Sequence, residues 1–314
     1  MSFAAAATAG ELGDIPKRKL GKTGLEVTIM SLGGARIGNL PDEKPALDVV
    51  RRCYDIGVNY FDTAAAGAYG LSQVRYGKAL ADVNKNIIFG TKTRHRTWAH
   101  AELDLNQSLA NLKRDWIDLY QVHNVMHQAD IDAVFARDGL MEMIEKAKRD
   151  GKIRFVGFTG HMDPRVHAKM LEMYDWDTVL MPLSVSDGAH DGFSFEQTVL
   201  KPAVDKGVGV IAMKTTGVGA LPGEGVSSLD ECLSYVWSLP ISTAILGCTT
   251  KEQVDADARI AVATAKKRLS EAQRKTIRSK WAKADFKRLE SWKVDQTSKT
   301  LATNPAEKPR YLGD

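Results

Sequence analysis

"VNYFDTAAAGAYG", residues 58–70, opens as a largely apolar strand-like run, reaches a carboxylate at Asp62, and passes through a small-residue loop to Tyr69. Continuous rather than alternating apolar character marks a strand covered on both faces. Asp62 therefore stands at the C-terminal end of a buried parallel strand. The same punctuation recurs along the chain in "TIMSLGG" (28–34), "NIIFGTK" (86–92), "WIDLYQVH" (116–123) and "IRFVGFTG" (153–160). It continues in "TVLMPLS" (178–184), "VGVIAMK" (208–214) and "ISTAILG" (241–247), which makes eight runs in all.

Amphipathic stretches lie between them. In "PALDVVRRCYDIG" the residues Leu47, Val50 and Tyr54 recur at helical spacing, with Gly57 as the stop signal. Eight strand–helix units predict a closed (β/α)₈ TIM barrel in the α/β class. The rival, a doubly wound open sheet, normally carries Gly-x-Gly-x-x-Gly after its first strand, and "LGGARIGN" does not match. Before the barrel, "KRKLGKTGLEV" (17–27) reads as a β-hairpin across its bottom. One domain over 1–314 is expected: the capping hairpin at 17–27, the barrel at 28–265, and a C-terminal extra helix and tail at 266–314. Ser270 with Gln273 forms a capping-box pattern for that helix, with Ile277 and Trp281 on its apolar face and ten Lys/Arg around the rest.

With 44% apolar and 26% charged residues, the composition is that of a globular protein rather than a disordered one. A formal charge of +4 over 314 residues gives no case for a nucleic-acid partner. No apolar run approaches the roughly 20 residues needed to cross a bilayer, so no membrane association is expected. Cys53, Cys232 and Cys248 are far apart and odd in number, which suits free thiols in a reducing cytoplasm. The opening "MSFAAAATAG" reads either as a flexible start or as the trimmed end of an export signal.

Asp62, Lys92 and His123 follow one another at intervals of 30 and 31 residues, about the length of one βα unit. All three end successive strands, so they ring the face on which barrel enzymes build their sites. With Tyr69 they form one chemical device. A phenol with a pKa near 10 is a weak proton donor at neutral pH, and a neighbouring ammonium lowers that pKa. The carboxylate holds the ammonium, and the imidazole orients a carbonyl oxygen as negative charge develops there. Carbonyl reduction, or alcohol oxidation in reverse, is the chemistry this set suits. His123 and His127 form a His-x₃-His, but the first ends a strand, so no metal site is expected.

These residues sit in motifs that together resemble the aldo-keto reductase superfamily: "GVNYFDTAAAGAYG", "IIFGTK", "LANLKRDWIDLYQVHN", "GKIRFVGFTGH", "GVIAMK" and "STAILGCTTKEQV". The resemblance covers roughly residues 17–260. It implies a (β/α)₈ barrel that binds NADPH, less often NADH, in extended form. It makes Tyr69 the general acid–base, Lys92 and Asp62 its tuning pair, and His123 the group that orients substrate. It also implies a cofactor path along Gly33, Gly34 and Gly247.

The chain departs from the family pattern at four places. Its Asp62–Tyr69 segment is two residues longer than usual. Thr159-Gly160 replaces the Ser-Asn pair that holds the carboxamide, and His161 beside it reads either as a replacement donor, as a substrate contact or as a solvated loop residue. Met181 and Met213 stand where a glutamine and a ring-stacking aromatic are usual, and each reads equally as a cofactor contact or as barrel core. Lys214 is expected at the pyrophosphate. On the adenosine side are Thr249, Thr250, Lys251, Gln253 and Asp257, the last in place of an asparagine; Lys251 is the reason to favour NADPH.

The loops "RHRTWAH" (94–100), "NVMHQAD" (124–130) and "SVSDGAHDGFSF" (184–195) form the barrel mouth. Their polar character suggests a hydroxylated carbonyl or alcohol substrate such as a sugar, contacted by His161 and His190. A slow, cofactor-sensing regulatory subunit, like the potassium-channel β subunits that resemble this superfamily, is the alternative. The oligomeric state is not legible.

Overall fold

The computed structural model describes residues 12–293; the opening segment 1–10 and the tail 297–314 read above lie outside them. Eight parallel strands close into a barrel: β3 (Met30–Gly33), β4 (Tyr60–Asp62), β5 (Ile88–Thr93), β6 (Ile117–Val122), β7 (Ile153–Thr159), β8 (Thr178–Pro182), β9 (Gly209–Met213) and β10 (Thr243–Leu246). Each falls within one of the eight apolar runs except β5, which extends one residue past its run to Thr93. The hairpin strands β1 (Lys17–Lys19) and β2 (Glu26–Thr28) pair antiparallel ahead of them. Among the described residues no helix is long and apolar enough to cross a membrane, and all three cysteines are buried and free.

Strand residues alternate between two cores, as the period of two requires. Tyr60, Ile88, Leu119, Leu180 and Ile211 point inward and pack with Leu20, the hairpin residue that plugs the barrel's bottom. Phe61, Phe89, Tyr120, Val179 and Val210 point outward into the larger layer between sheet and helices. Full burial of Leu20 is worth about 1.5–3 kcal/mol. The plug is seated by a hydrogen bond from Lys22 N to Gly207 O, 2.8 Å. Gly21 is required there, because its φ is +52° and a Cβ would lie 2.2 Å from Gly209 N.

Helix Glu43–Asp55 buries Ala46, Val49, Val50 and Cys53, while Leu47 and Tyr54 are only half-buried. The inward face thus turns by about one residue from the one expected. The C-terminal helix Glu271–Ser279 carries the expected capping box: Gln273 N donates to Ser270 Oγ and Ser270 N to Gln273 Oε1. Ile277 and Trp281 are buried as its pattern implied.

Candidate active site

Inward alternation from Tyr60 brings Asp62 to the top of β4, and the same rule brings Lys92 to the top of β5. In-register pairing of Asp62 with Gly90 and of Lys92 with Gln121 sets their heights. Lys92 Nζ donates to both carboxylate oxygens of Asp62, at 2.7 and 2.6 Å, and to Thr63 O at 2.8 Å. Its remaining neighbour is the Tyr69 hydroxyl at 3.4 Å.

The longer loop is what delivers that hydroxyl. Thr63 N bonds Gly90 O and Ala65 N bonds Lys92 O, extending the strand pairing by hydrogen bonds to the neighbouring strand. The extra length is then taken up in a single 3₁₀ turn, Gly67–Tyr69. That turn rests on helix Gly34–Gly38: Leu71 N donates to Gly38 O, and a Cβ on Gly38 would lie 1.7 Å from Tyr69 O. Gly38→Ala is therefore expected to push the tyrosine out of reach and to lower turnover about 10²-fold while the fold, checked by circular dichroism, persists.

Burial works to lower the Lys92 pKa, but Asp62 and the Tyr69 oxygen outweigh it and hold it above the ordinary value. The ammonium stays charged. Tyr69 corrects the sequence expectation: burial holds its pKa above the ordinary value despite the opposing pull of Lys92. Desolvation is the largest cause, and Asp62 adds to it by offsetting part of the charge that Lys92 presents to the phenol. His123 is buried next to Tyr69, ring centroids 5.9 Å apart and edge-on. Burial, then the Lys92 charge, hold it well below its ordinary pKa, so it is a neutral imidazole.

A cleft of about 540 Å³ runs from Asp62 and Tyr69 across the barrel top to the helix Lys251–Lys266. Gly33, Gly34, His161, Met213, Lys214, Gly247, Thr249, Gln253 and Asp257 line it, together with Arg36. Arg36 and Lys214 have no carboxylate partner among the described residues. Two such cations beside an elongated cleft fit a pyrophosphate. Asp257, half-buried with its Oδ2 3.4 Å from Cys248 Sγ, has its pKa pushed up to about 6 by desolvation.

His161 Nδ1 lies 3.0 Å from Asn124 Oδ1. Burial, then Lys214, lower its pKa to about 3. A neutral ring donating to Asn124 leaves its other nitrogen as an acceptor. His161 is thus a lining residue and not a solvated one.

Several expected residues are placed elsewhere. Met181 is fully buried in the outer core with Val179, one step out of phase with the inner face; Leu180 lines the cleft instead. Thr159 and Gly160 lie outside the lining, and a Cβ on Gly160 would lie 2.2 Å from Val125 O. Thr250 spends its hydroxyl as the N-cap, accepting from Gln253 N at 3.3 Å, and Lys251 is exposed beside it. Gln253 lines the cleft but folds back, so that its Oε1 accepts from Thr249 N at 2.7 Å. His190 does not reach the cleft; its Nδ1 lies 2.7 Å from Glu290 Oε2 and its ring stacks on Phe286.

Sequence reading misses Arg36 and Asn124. Arg36 follows the Gly33-Gly34 pair at a strand end, and Asn124 directly follows His123 in the left-handed conformation, φ +62°, that asparagine tolerates.

Comparison with known proteins agrees with this fold. The profile of the Aldo/keto reductase family matches residues 29–272. An uncharacterized oxidoreductase, YqkF of Bacillus subtilis, is 28% identical over 54% of this chain and 57% of its own length. The L-galactose dehydrogenase of Arabidopsis thaliana is 27% identical over 67% of this chain and 68% of its own. The chain thus spans little more than half the length of the first of these relatives. The holo form of the aldo-keto reductase AKR11C1 from Bacillus halodurans superposes with a TM-score of 0.72 at 23% identity, over 85% of this chain and 96% of that one.

Proposed function

The chain belongs to the aldo/keto reductase family, and on that premise we propose that it interconverts a small carbonyl compound and its alcohol with a nicotinamide dinucleotide. One observation carries the reading: a charged Lys92, clamped by Asp62, lies 3.4 Å from the Tyr69 hydroxyl at the end of a long cleft. A bound dinucleotide would supply or accept the hydride. Arg36 and Lys214 would hold its pyrophosphate, and Met213 would lie against its flat ring. His123 orients the carbonyl by a hydrogen bond. As hydride reaches the carbonyl carbon, Tyr69 gives its proton to the oxygen, and the phenolate left behind is stabilised by Lys92 until solvent returns a proton. Oxidation runs the same steps in reverse.

A hydroxylated substrate fits the mouth best. The His161 acceptor, fixed by Asn124, can take a hydrogen bond from an alcohol group, and one relative is an L-galactose dehydrogenase. Titration of the purified protein with NADPH should quench tryptophan fluorescence, and a reactive aldehyde such as 4-nitrobenzaldehyde should be reduced. No binding of either nicotinamide dinucleotide would sink the reading, whereas binding with only very slow turnover would favour the regulatory-subunit alternative.

NADPH is expected to bind more tightly than NADH. Lys251, exposed in the first turn of its helix, is free to meet the additional phosphate. Lys251→Ala should weaken NADPH binding up to about fivefold, the scale of an exposed ion pair, and leave NADH unaffected. Equal loss for both would place Lys251 outside the site.

A further inference from the structure

The segment Phe286–Lys293 is held by a buried cluster of charges that the chemistry above does not use. Lys293 Nζ meets Asp187 at 2.6 Å, Glu290 at 2.8 Å and Phe193 O at 3.0 Å, and all three charged side chains are almost fully buried. Glu290 also accepts from Ser186 Oγ at 3.1 Å and faces His190. Asp187 accepts from Phe195 N and Glu196 N, at 3.0 and 2.9 Å. Burying three charges is a costly way to secure a strand of chain, since apolar contacts would serve as well. What such a cluster provides is a fixed position.

That position places the neighbouring residue against Lys214, which lines the cleft. Trp292 lies under the ammonium of Lys214, 5.5 Å from ring to Nζ, and its indole Nε1 is buried with no hydrogen-bond partner. Lys214 itself lines the cleft on a left-handed backbone, φ +58°, an uncommon conformation for a lysine. Nothing in packing alone demands an unpaired indole N–H beside an unpaired cation.

We propose that Trp292 is a positioning residue of the dinucleotide site, its ring holding the Lys214 ammonium toward the cleft and its N–H offering a second donor beside it. The C-terminal strap thereby becomes part of the binding site although it is far from the barrel strands in sequence. The lowering of the Lys214 pKa by burial and by Arg36 agrees with a cation kept close to another cation for a shared anion. The inference rests on the dinucleotide reading above.

The test is equilibrium titration of NADPH, followed by tryptophan fluorescence and by calorimetry, on the full chain and on Trp292→Phe and Trp292→Leu. Cation–π contacts of this kind predict about a threefold weakening or less for Phe, which keeps a ring, and about tenfold for Leu, which keeps none. The KM for dinucleotide should rise in that order while kcat at saturation changes less than about twofold. Lys214→Ala should then weaken binding far less in the Leu background than in the wild type. Unchanged affinity in both variants, or full additivity with Lys214→Ala, would overturn the proposal, and thermal melts within a few degrees of wild type keep a folding defect from imitating the effect. If the wild-type chain binds neither nicotinamide dinucleotide, it is the parent reading that fails.

Discussion

Tyr69→Phe is expected to abolish nearly all carbonyl reduction, a loss of about 10²–10⁴-fold in kcat, with dinucleotide affinity unchanged. The ring stays in place at the mouth, edge-on to His123, and only the hydroxyl that carries the proton is removed. The wild-type pH profile should agree. Burial keeps the phenol above its ordinary pKa, so the donor is protonated throughout the neutral range. Reduction should therefore be flat across the neutral range and fall only in strongly alkaline solution, above about pH 10. Stopped-flow measurement of hydride transfer separates this step from product release. A Tyr69→Phe variant that retained a tenth of the activity would mean that another group supplies the proton.

The largest structural effect is expected from Lys92→Met. Lys92 and Asp62 are both almost wholly buried, and removing the cation leaves a carboxylate with no counter-charge in the barrel. Breaking such a pair costs about 3–5 kcal/mol, which urea unfolding would register directly. The pH dependence has a definite sign. Burial already raises the folded-state pKa of Asp62 above its ordinary value, and without Lys92 only the hydrogen bond from Gln121 opposes it. The variant is therefore relatively stable in acid and loses stability as pH rises. Asp62→Asn in the same chain should recover much of the loss, since a neutral amide needs no counter-ion. Neither protein should be active. An Asp62→Asn change that failed to help would show that the lost contacts to Thr63 O and Tyr69, rather than charge, set the cost.

The barrel is legible in the sequence because its signal is periodic and local. Each strand is a short apolar run with a turn behind it, and the positions of Asp62, Lys92 and His123 follow from counting units. Phase is harder. Met181 and Leu180 are both apolar, so no pattern says which faces inward; only the register of β8 with β9 decides. The same ambiguity turns helix Glu43–Asp55 toward Ala46 and Val49 rather than Leu47. The phenol's acidity escapes sequence reading for another reason: the sequence names the charges but not the burial that outweighs them. His190 lies in a loop at the mouth, yet its partners Glu290 and Phe286 are about a hundred residues onward, a contact no local reading supplies.

The pairing of β10 with β3, Ala244 against Met30 and Leu246 against Leu32, has a consequence for how the chain reaches its shape. Ser31 and Thr243, which meet across that seam, are 212 residues apart. During synthesis the first barrel strand has a partner on one side only, and its open edge must wait until Thr243, 212 residues beyond Ser31, has left the ribosome. Closure is thus a late, long-range event, slow by the logic of contact order. A fragment ending before residue 243 would present two bare edges, at β3 and β9, to other chains. Such fragments should collect in inclusion bodies to a greater extent than a chain that includes β10.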